Sequence, residues 1–129
     1  MKLNRRSLLA GSAGLAAVPF LGSQVFGAQA KKLPKDAVTL VAEVQAKAGE
    51  EGVVKKALMA LVEPTRKEKG CICYNLHQSG EDKAKFMFYE QWASQAALDE
   101  HMQSDHFKAM QVATEGKLEG IEAAKWGLL

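Results

Sequence analysis

Residues 70–92 read GCICYNLHQSGEDKAKFMFYEQW. Cys71 to Gln78 and Lys85 to Trp92 are rich in aromatic and β-branched residues, and the polar segment Ser79-Gly80-Glu81-Asp82-Lys83 separates them. Two such runs joined by a short Gly-containing turn predict an antiparallel hairpin. Upstream, Val38 to Ala46 is a third strand, punctuated by Gly49. Val54, Ala57, Leu58 and Leu61 then recur at i, i+3, i+4 and i+7, which predicts an amphipathic helix. Glu50 and Glu51 suit its positive end, Arg66, Lys67 and Lys69 its negative end, and Gly70 closes it. Pro64 lies inside this span and should kink the helix or split off its last turn, because it removes a backbone donor. Downstream, Ser94 is a helix N-cap, and the apolar face that follows is Ala97, Leu98, His101 and Met102. Ser104-Asp105 marks a restart, with Phe107 and Met110 continuing inward. Gly116 ends the helical part, and Leu118 to Leu128 is a last strand.

The order β-α-β-β-α-β is that of an α+β, ferredoxin-like domain with a four-stranded antiparallel sheet. Two helices can cover only one face of it. The hairpin strands carry apolar groups on both sides: Phe86 and Phe88 against Met87 and Tyr89, Ile72 and Tyr74 against Cys71 and Cys73. Strands apolar on both faces are buried on both faces. The expected second cover is another copy of the chain, in a homodimer whose sheets face each other.

Residues 1–30 have the pattern of a targeting segment: Lys2, Arg5 and Arg6 without an acidic residue, a Gly/Ala-rich apolar run, and Ala28-Gln29-Ala30 as a small-x-small cleavage signal. Adjacent Arg5-Arg6 resembles a twin-arginine export signal, which places the domain of residues 31–129 in the periplasm. Glycines and Pro19 break the run, so a stable membrane anchor is not expected. The full chain of 129 residues has a formal charge of +2. Losing three basic residues with the leader leaves a nearly neutral domain, and its charge gives no reason to expect nucleic acid or anionic lipid as a partner.

Cys71-Ile72-Cys73 sits on a strand, where i and i+2 are ~6.5–7 Å apart at Cα. That span is at the limit for a disulfide and favours two free thiols on one sheet face. A Cys-x-Cys metal site lacks further ligands at a recognisable spacing. His101 and His106 are five apart, so a continuous helix would not bring them to one face, and a two-histidine metal site is not expected. No dinucleotide loop, P-loop, haem-attachment motif or nucleophile elbow is present, and no cofactor is expected unless it is a metal that the sequence does not advertise.

The residues able to do chemistry are few. His101 on the apolar stripe of the second helix is either a core histidine or a general acid–base group in a cleft. His77 is read as exposed, on the face of Cys71 and Cys73. Glu90 shares a strand face with Phe86, Phe88 and Trp92, so it must be paired with a cation or amides, or must border a pocket. Tyr74 and Trp92 have polar tips that suit either a core or a pocket for an oxygenated ring.

Gly70-Cys71-x-x-Tyr74, Tyr89-Glu90-x-Trp92, Ala97-Leu98-x-x-His101 and Ser104-x-His106-Phe107, after Glu63-Pro64-Thr65-Arg66, together resemble the antibiotic biosynthesis monooxygenase (ABM) domain, nearest its quinol-monooxygenase branch. The resemblance covers about residues 38–112. It implies a dimeric α+β barrel and a cofactor-independent monooxygenase or quinol oxidase that acts on a small phenolic or quinol compound with O2. It makes His101 the proton-handling residue, with Glu90 or His106 orienting or relaying, and Trp92, Tyr74 and Phe88 lining the ring pocket. An isomerase or lyase on the same scaffold, or a non-catalytic binder of small aromatics, are the alternatives it leaves. Haem-degrading relatives carry a Trp and an axial His where this chain has His101 and Gln111, which argues against haem breakdown.

Overall fold

A computed structural model describes residues 32–129 of the chain. The proposed leader, residues 1–30, lies outside them. The elements are β1 (Val38–Ala46), α1 (Glu51–Arg66), β2 (Cys71–Gln78), β3 (Lys85–Trp92), α2 (Gln95–Gln103), α3 (Asp105–Thr114) and β4 (Leu118–Trp126). The strands form one sheet in the order β2-β3-β1-β4, with every neighbouring pair antiparallel. This is the ferredoxin-like arrangement, with the second helix divided in two.

Burial in β3 alternates residue by residue: Phe86, Phe88, Glu90 and Trp92 are buried beneath the helices, while Lys85, Met87, Tyr89 and Gln91 are half-buried on the opposite face. Ala42 and Val44 on β1 pair with Phe88 and Phe86 and share the covered face. On α1 the buried stripe is Val54, Leu58, Leu61 and Thr65. Each large apolar side chain removed from water here contributes about 1.5–3 kcal/mol. Met102, expected on the inner face of its helix, borders the space between helices and sheet but is 49 % exposed.

Pro64 does not split α1, which runs on to Arg66. Its missing donor falls near the helix end, where the Lys67 and Glu68 N–H groups close the last turn on the Pro64 and Thr65 carbonyls. Gly70 has a packing reason: a Cβ there would overlap the Cβ of Ala97 at the start of α2. Its carbonyl accepts a bond from the Ala93 N–H at 2.8 Å. The close approach sets the start of β2 against the start of α2.

The two cysteines do not share a face. Cys71 pairs with Trp92 and Cys73 with Gln91, so Ile72 is the extra residue of a bulge. The bulge turns Cys71 toward the core and Cys73 to the other side, and both thiols are free. A strict period-two reading of Cys71-Ile72-Cys73 cannot anticipate that. It also leaves His77, which pairs with Met87, on the face of Cys73 alone.

β4 is exposed along nearly its whole length. Its Ile121 and Ala123 pair with Val44 and Ala42 on the helix-covered face of the sheet, yet Ile121 is 55 % exposed. No helix among the described residues is long and apolar enough to cross a membrane.

Candidate active site

The site is built where α2 ends and α3 begins. Ser104 is at once the C-cap of α2 and the N-cap of α3, and its extended ψ of 153° breaks the helix. Its hydroxyl donates to the His101 carbonyl at 2.6 Å and accepts from the Phe107 N–H at 3.3 Å. A continuous helix would aim His101 and His106 apart. The break re-aims His106, and both rings reach the same atom.

That atom belongs to Glu68, in the turn between α1 and β2. His101 Nδ1 donates to Glu68 Oε2 at 2.7 Å, and His106 Nε2 meets the same oxygen at 2.9 Å. The separation expected of the two histidines is therefore overturned. Glu68 had no signal in the sequence: it lies 33 residues before His101, in the charge-rich run Arg66-Lys67-Glu68-Lys69 that reads as a solvated helix end.

The His101 ring is 2 % exposed and held by aromatic neighbours on several sides. Trp92 lies at a tilt of 33° with ring centroids 4.6 Å apart. Tyr74 and Phe107 meet it edge-on at 5.4 and 5.1 Å. Burial pulls the His101 pKa below its ordinary value, against the upward pull of the Glu68 hydrogen bond and charge. A neutral imidazole with its proton on Nδ1 carries its lone pair on Nε2. Among the described residues Nε2 has no hydrogen-bond partner, and the ring lines a cavity.

The cavity holds about 170 Å³ and lies between the helices and the sheet. Leu58, Leu98, Phe107 and Met110 form much of its apolar wall, and the polar groups that reach it are His101, Glu90 and Tyr74. It is smaller than the ~300–1,000 Å³ typical of drug-sized ligands and matches a compound of one small ring system. Ile121 and Ala123 of the uncovered strand β4 also border it.

Glu90 is 4 % exposed, and its partner is neither Lys, Arg nor backbone. The Trp92 indole N–H donates to Glu90 Oε2 at 2.9 Å. Burial pushes the Glu90 pKa up to about 7, with the Trp92 hydrogen bond opposing and the Glu68 charge adding to the rise. Burial, reinforced by the Glu90 charge, also raises the Tyr74 phenol well above its ordinary value and keeps it a donor. Cys71 is raised to about 11 by burial and by Glu68, so it is a thiol at neutral pH.

Of the residues singled out from sequence, His101, Glu90, Tyr74 and Phe88 border the one cavity. Trp92 does not: it is fully buried behind them, bonded to Glu90 and packed on His101. His106 reaches Glu68 rather than the cavity.

A four-stranded antiparallel sheet under helices, with an apolar cavity beside a buried histidine, defines a ferredoxin-like α+β domain with an internal cavity. Residues 37–113 match the family described as antibiotic biosynthesis monooxygenase, and the chain belongs to that family. Among solved structures, it is similar to PA3566 of Pseudomonas aeruginosa, with 34 % identity and a TM-score of 0.70 over 73 % of this chain and 95 % of that one. Rv0793 of Mycobacterium tuberculosis is similar at 26 % identity and a TM-score of 0.67, over 72 % of this chain and 95 % of that one. The sll1783 protein of Synechocystis is 29 % identical over 89 residues, 69 % of this chain. That match spans only 56 % of the Synechocystis protein.

Proposed function

We propose that this chain is a monooxygenase that oxidises a small phenolic or quinol compound with O2 and needs no bound cofactor. The carrying observation is His101, whose Nδ1 is tied to Glu68, whose Nε2 has no partner among the described residues, and whose ring borders a small, mostly apolar cavity shared with Glu90 and Tyr74. A phenol O–H in that cavity donates to Nε2 and gives up its proton. The imidazolium formed is stabilised by Glu68. The phenolate is electron-rich enough to pass an electron to O2 directly. Recombination at a ring carbon and loss of water then complete the reaction: hydroquinone and O2 give hydroxyquinone and one water. The substrate supplies all the electrons, so no separate reductant is required. Apolar walls keep bulk water from the reactive pair, and Tyr74 can donate to a developing oxyanion.

In this reading the protein is exported through the twin-arginine route and works in the periplasm as a homodimer. The Arg5-Arg6 leader supports the first, and the uncovered β4 bordering the cavity supports the second. The test is oxygen uptake by the mature protein with hydroquinone, against a His101→Ala variant. Uptake that depends on His101 is expected; equal rates would remove His101 from the reaction.

One observation favours a second reading. Glu90, with its pKa raised to about 7, and His101 border the same cavity as a proton donor and a proton acceptor, an arrangement that also suits an isomerase. Turnover of a substrate under strict anaerobiosis decides for it.

A further inference from the structure

We propose that Glu68, His101 and His106 form a binding site for a divalent transition-metal ion, whose occupation switches off the base in the neighbouring cavity. Two imidazole nitrogens and a carboxylate oxygen are a donor set suited to zinc and its neighbours. Here Glu68 Oε2, His101 Nδ1 and His106 Nε2 all lie within 4.8 Å of one another.

The fit asks for a rearrangement of the ligands on the scale of an ångström. With metal–ligand distances of about 2.0–2.2 Å, tetrahedral ligands sit roughly 3.4 Å apart. The oxygen-to-nitrogen separations of 2.7 and 2.9 Å open by about 0.5–0.7 Å, and the two nitrogens, within 4.8 Å of each other, close by at most about 1.4 Å, a movement that falls to Glu68 and the part-exposed His106. His101 is clamped by Trp92, Tyr74 and Phe107, so one ligand is pre-oriented. Glu68 and His106 are 18 % and 24 % exposed, which gives an ion an entry path and leaves room for water as a fourth ligand.

Neither Glu68 nor His106 borders the cavity, so the ion does not touch the substrate. Its effect passes through the His101 ring. When Nδ1 ligates the metal through its lone pair, the ring proton moves to Nε2. His101 then presents an N–H to the cavity where it had presented a lone pair, and it cannot accept the phenol proton. No proton is gained or lost by the ring. This consequence rests on the function proposed above; the binding site does not.

Isothermal titration of the chelator-treated mature protein with Zn2+ tests the site. One ion per chain is expected. Glu68→Ala and His106→Ala should each weaken binding at least tenfold, while His77→Ala and Cys73→Ser should not weaken it. Melting curves confirm that each variant is folded, and His106→Asn replaces His106→Ala if the latter is not. No saturable binding, or binding lost through His77 or Cys73, overturns the site. Oxygen uptake should fall in proportion to Zn2+ occupancy and return on adding EDTA. Site binding with undiminished uptake overturns the switch. If the metal-free protein consumes no oxygen with any quinol, the proposed reaction fails, and the titration still decides the site.

Discussion

His101 Nδ1 donates to Glu68 Oε2 at 2.7 Å and so ties helix α2 to the turn that follows α1. The bond does two things. It leaves Nε2 as the ring nitrogen without a partner among the described residues, and it sets a carboxyl group beside a ring whose surroundings are otherwise aromatic.

His101→Ala is expected to lower kcat for quinol oxidation by about 10²–10⁴, the usual range for a positioned general base. Glu68→Ala should cost at least tenfold. Glu68→Gln should cost less than Glu68→Ala, because its side-chain carbonyl still accepts from Nδ1. Steady-state oxygen uptake measures all three, and a Glu68→Ala enzyme with the parent rate would remove Glu68 from the site.

Glu90 should make the protein less stable as pH rises. Its folded pKa of about 7 lies above the ordinary 4.5, so between those values the folded chain holds a proton that the unfolded chain has lost. Stability therefore falls from pH 4.5 to about pH 7 and levels off above it, by roughly 3 kcal/mol. Glu90→Gln keeps an acceptor for Trp92 and should abolish that loss, so the variant gains on the parent at pH 8 and not at pH 4.5. The comparison largely cancels the opposite contribution of His101, whose lowered pKa costs stability as pH falls through 6.5. Urea melts at the two pH values decide it; a constant difference between the two proteins contradicts the assignment.

Trp92→Phe keeps the ring that packs on His101 and deletes the indole donor to Glu90. The Glu90 pKa should then rise above about 7, since that hydrogen bond holds it down. Carboxyl-carbon NMR titration of the two proteins reads the shift, and an unchanged or lower value would show the bond to be unimportant to Glu90.

Gly70→Ala should destabilise the fold by about 1–3 kcal/mol through overlap with the Ala97 Cβ. The second substitution Ala97→Gly should restore much of that loss by removing the clashing atom. A double variant no more stable than Gly70→Ala alone would place the cost elsewhere, for example in the Gly70 carbonyl's bond to Ala93.

Much of the architecture was legible in the chain because it rests on local patterns. Alternation in Lys85–Trp92 put Phe86, Phe88, Glu90 and Trp92 on one face, and the strand register keeps them there. Ser94 caps α2 as its type and place suggest, accepting from the Ala97 N–H. Ser104 marked the restart. The bulge at Ile72 was not legible, because one inserted residue leaves composition unchanged and reverses the facing of what precedes it.

The sequence by itself determined the element order, the antiparallel sheet, the buried face of β3 and the candidacy of His101, since each depends on residues a few positions apart. Tertiary structure decided the electrostatic half of the site. Glu68 joins His101 and His106 only because the turn after α1 packs against the break between α2 and α3. That Trp92 lies behind the cavity and not in its wall was likewise decided by the packing around it. Charge and hydrogen bonding act through a few ångströms of space whatever the separation along the chain, so a partner 33 residues away leaves no periodicity to read.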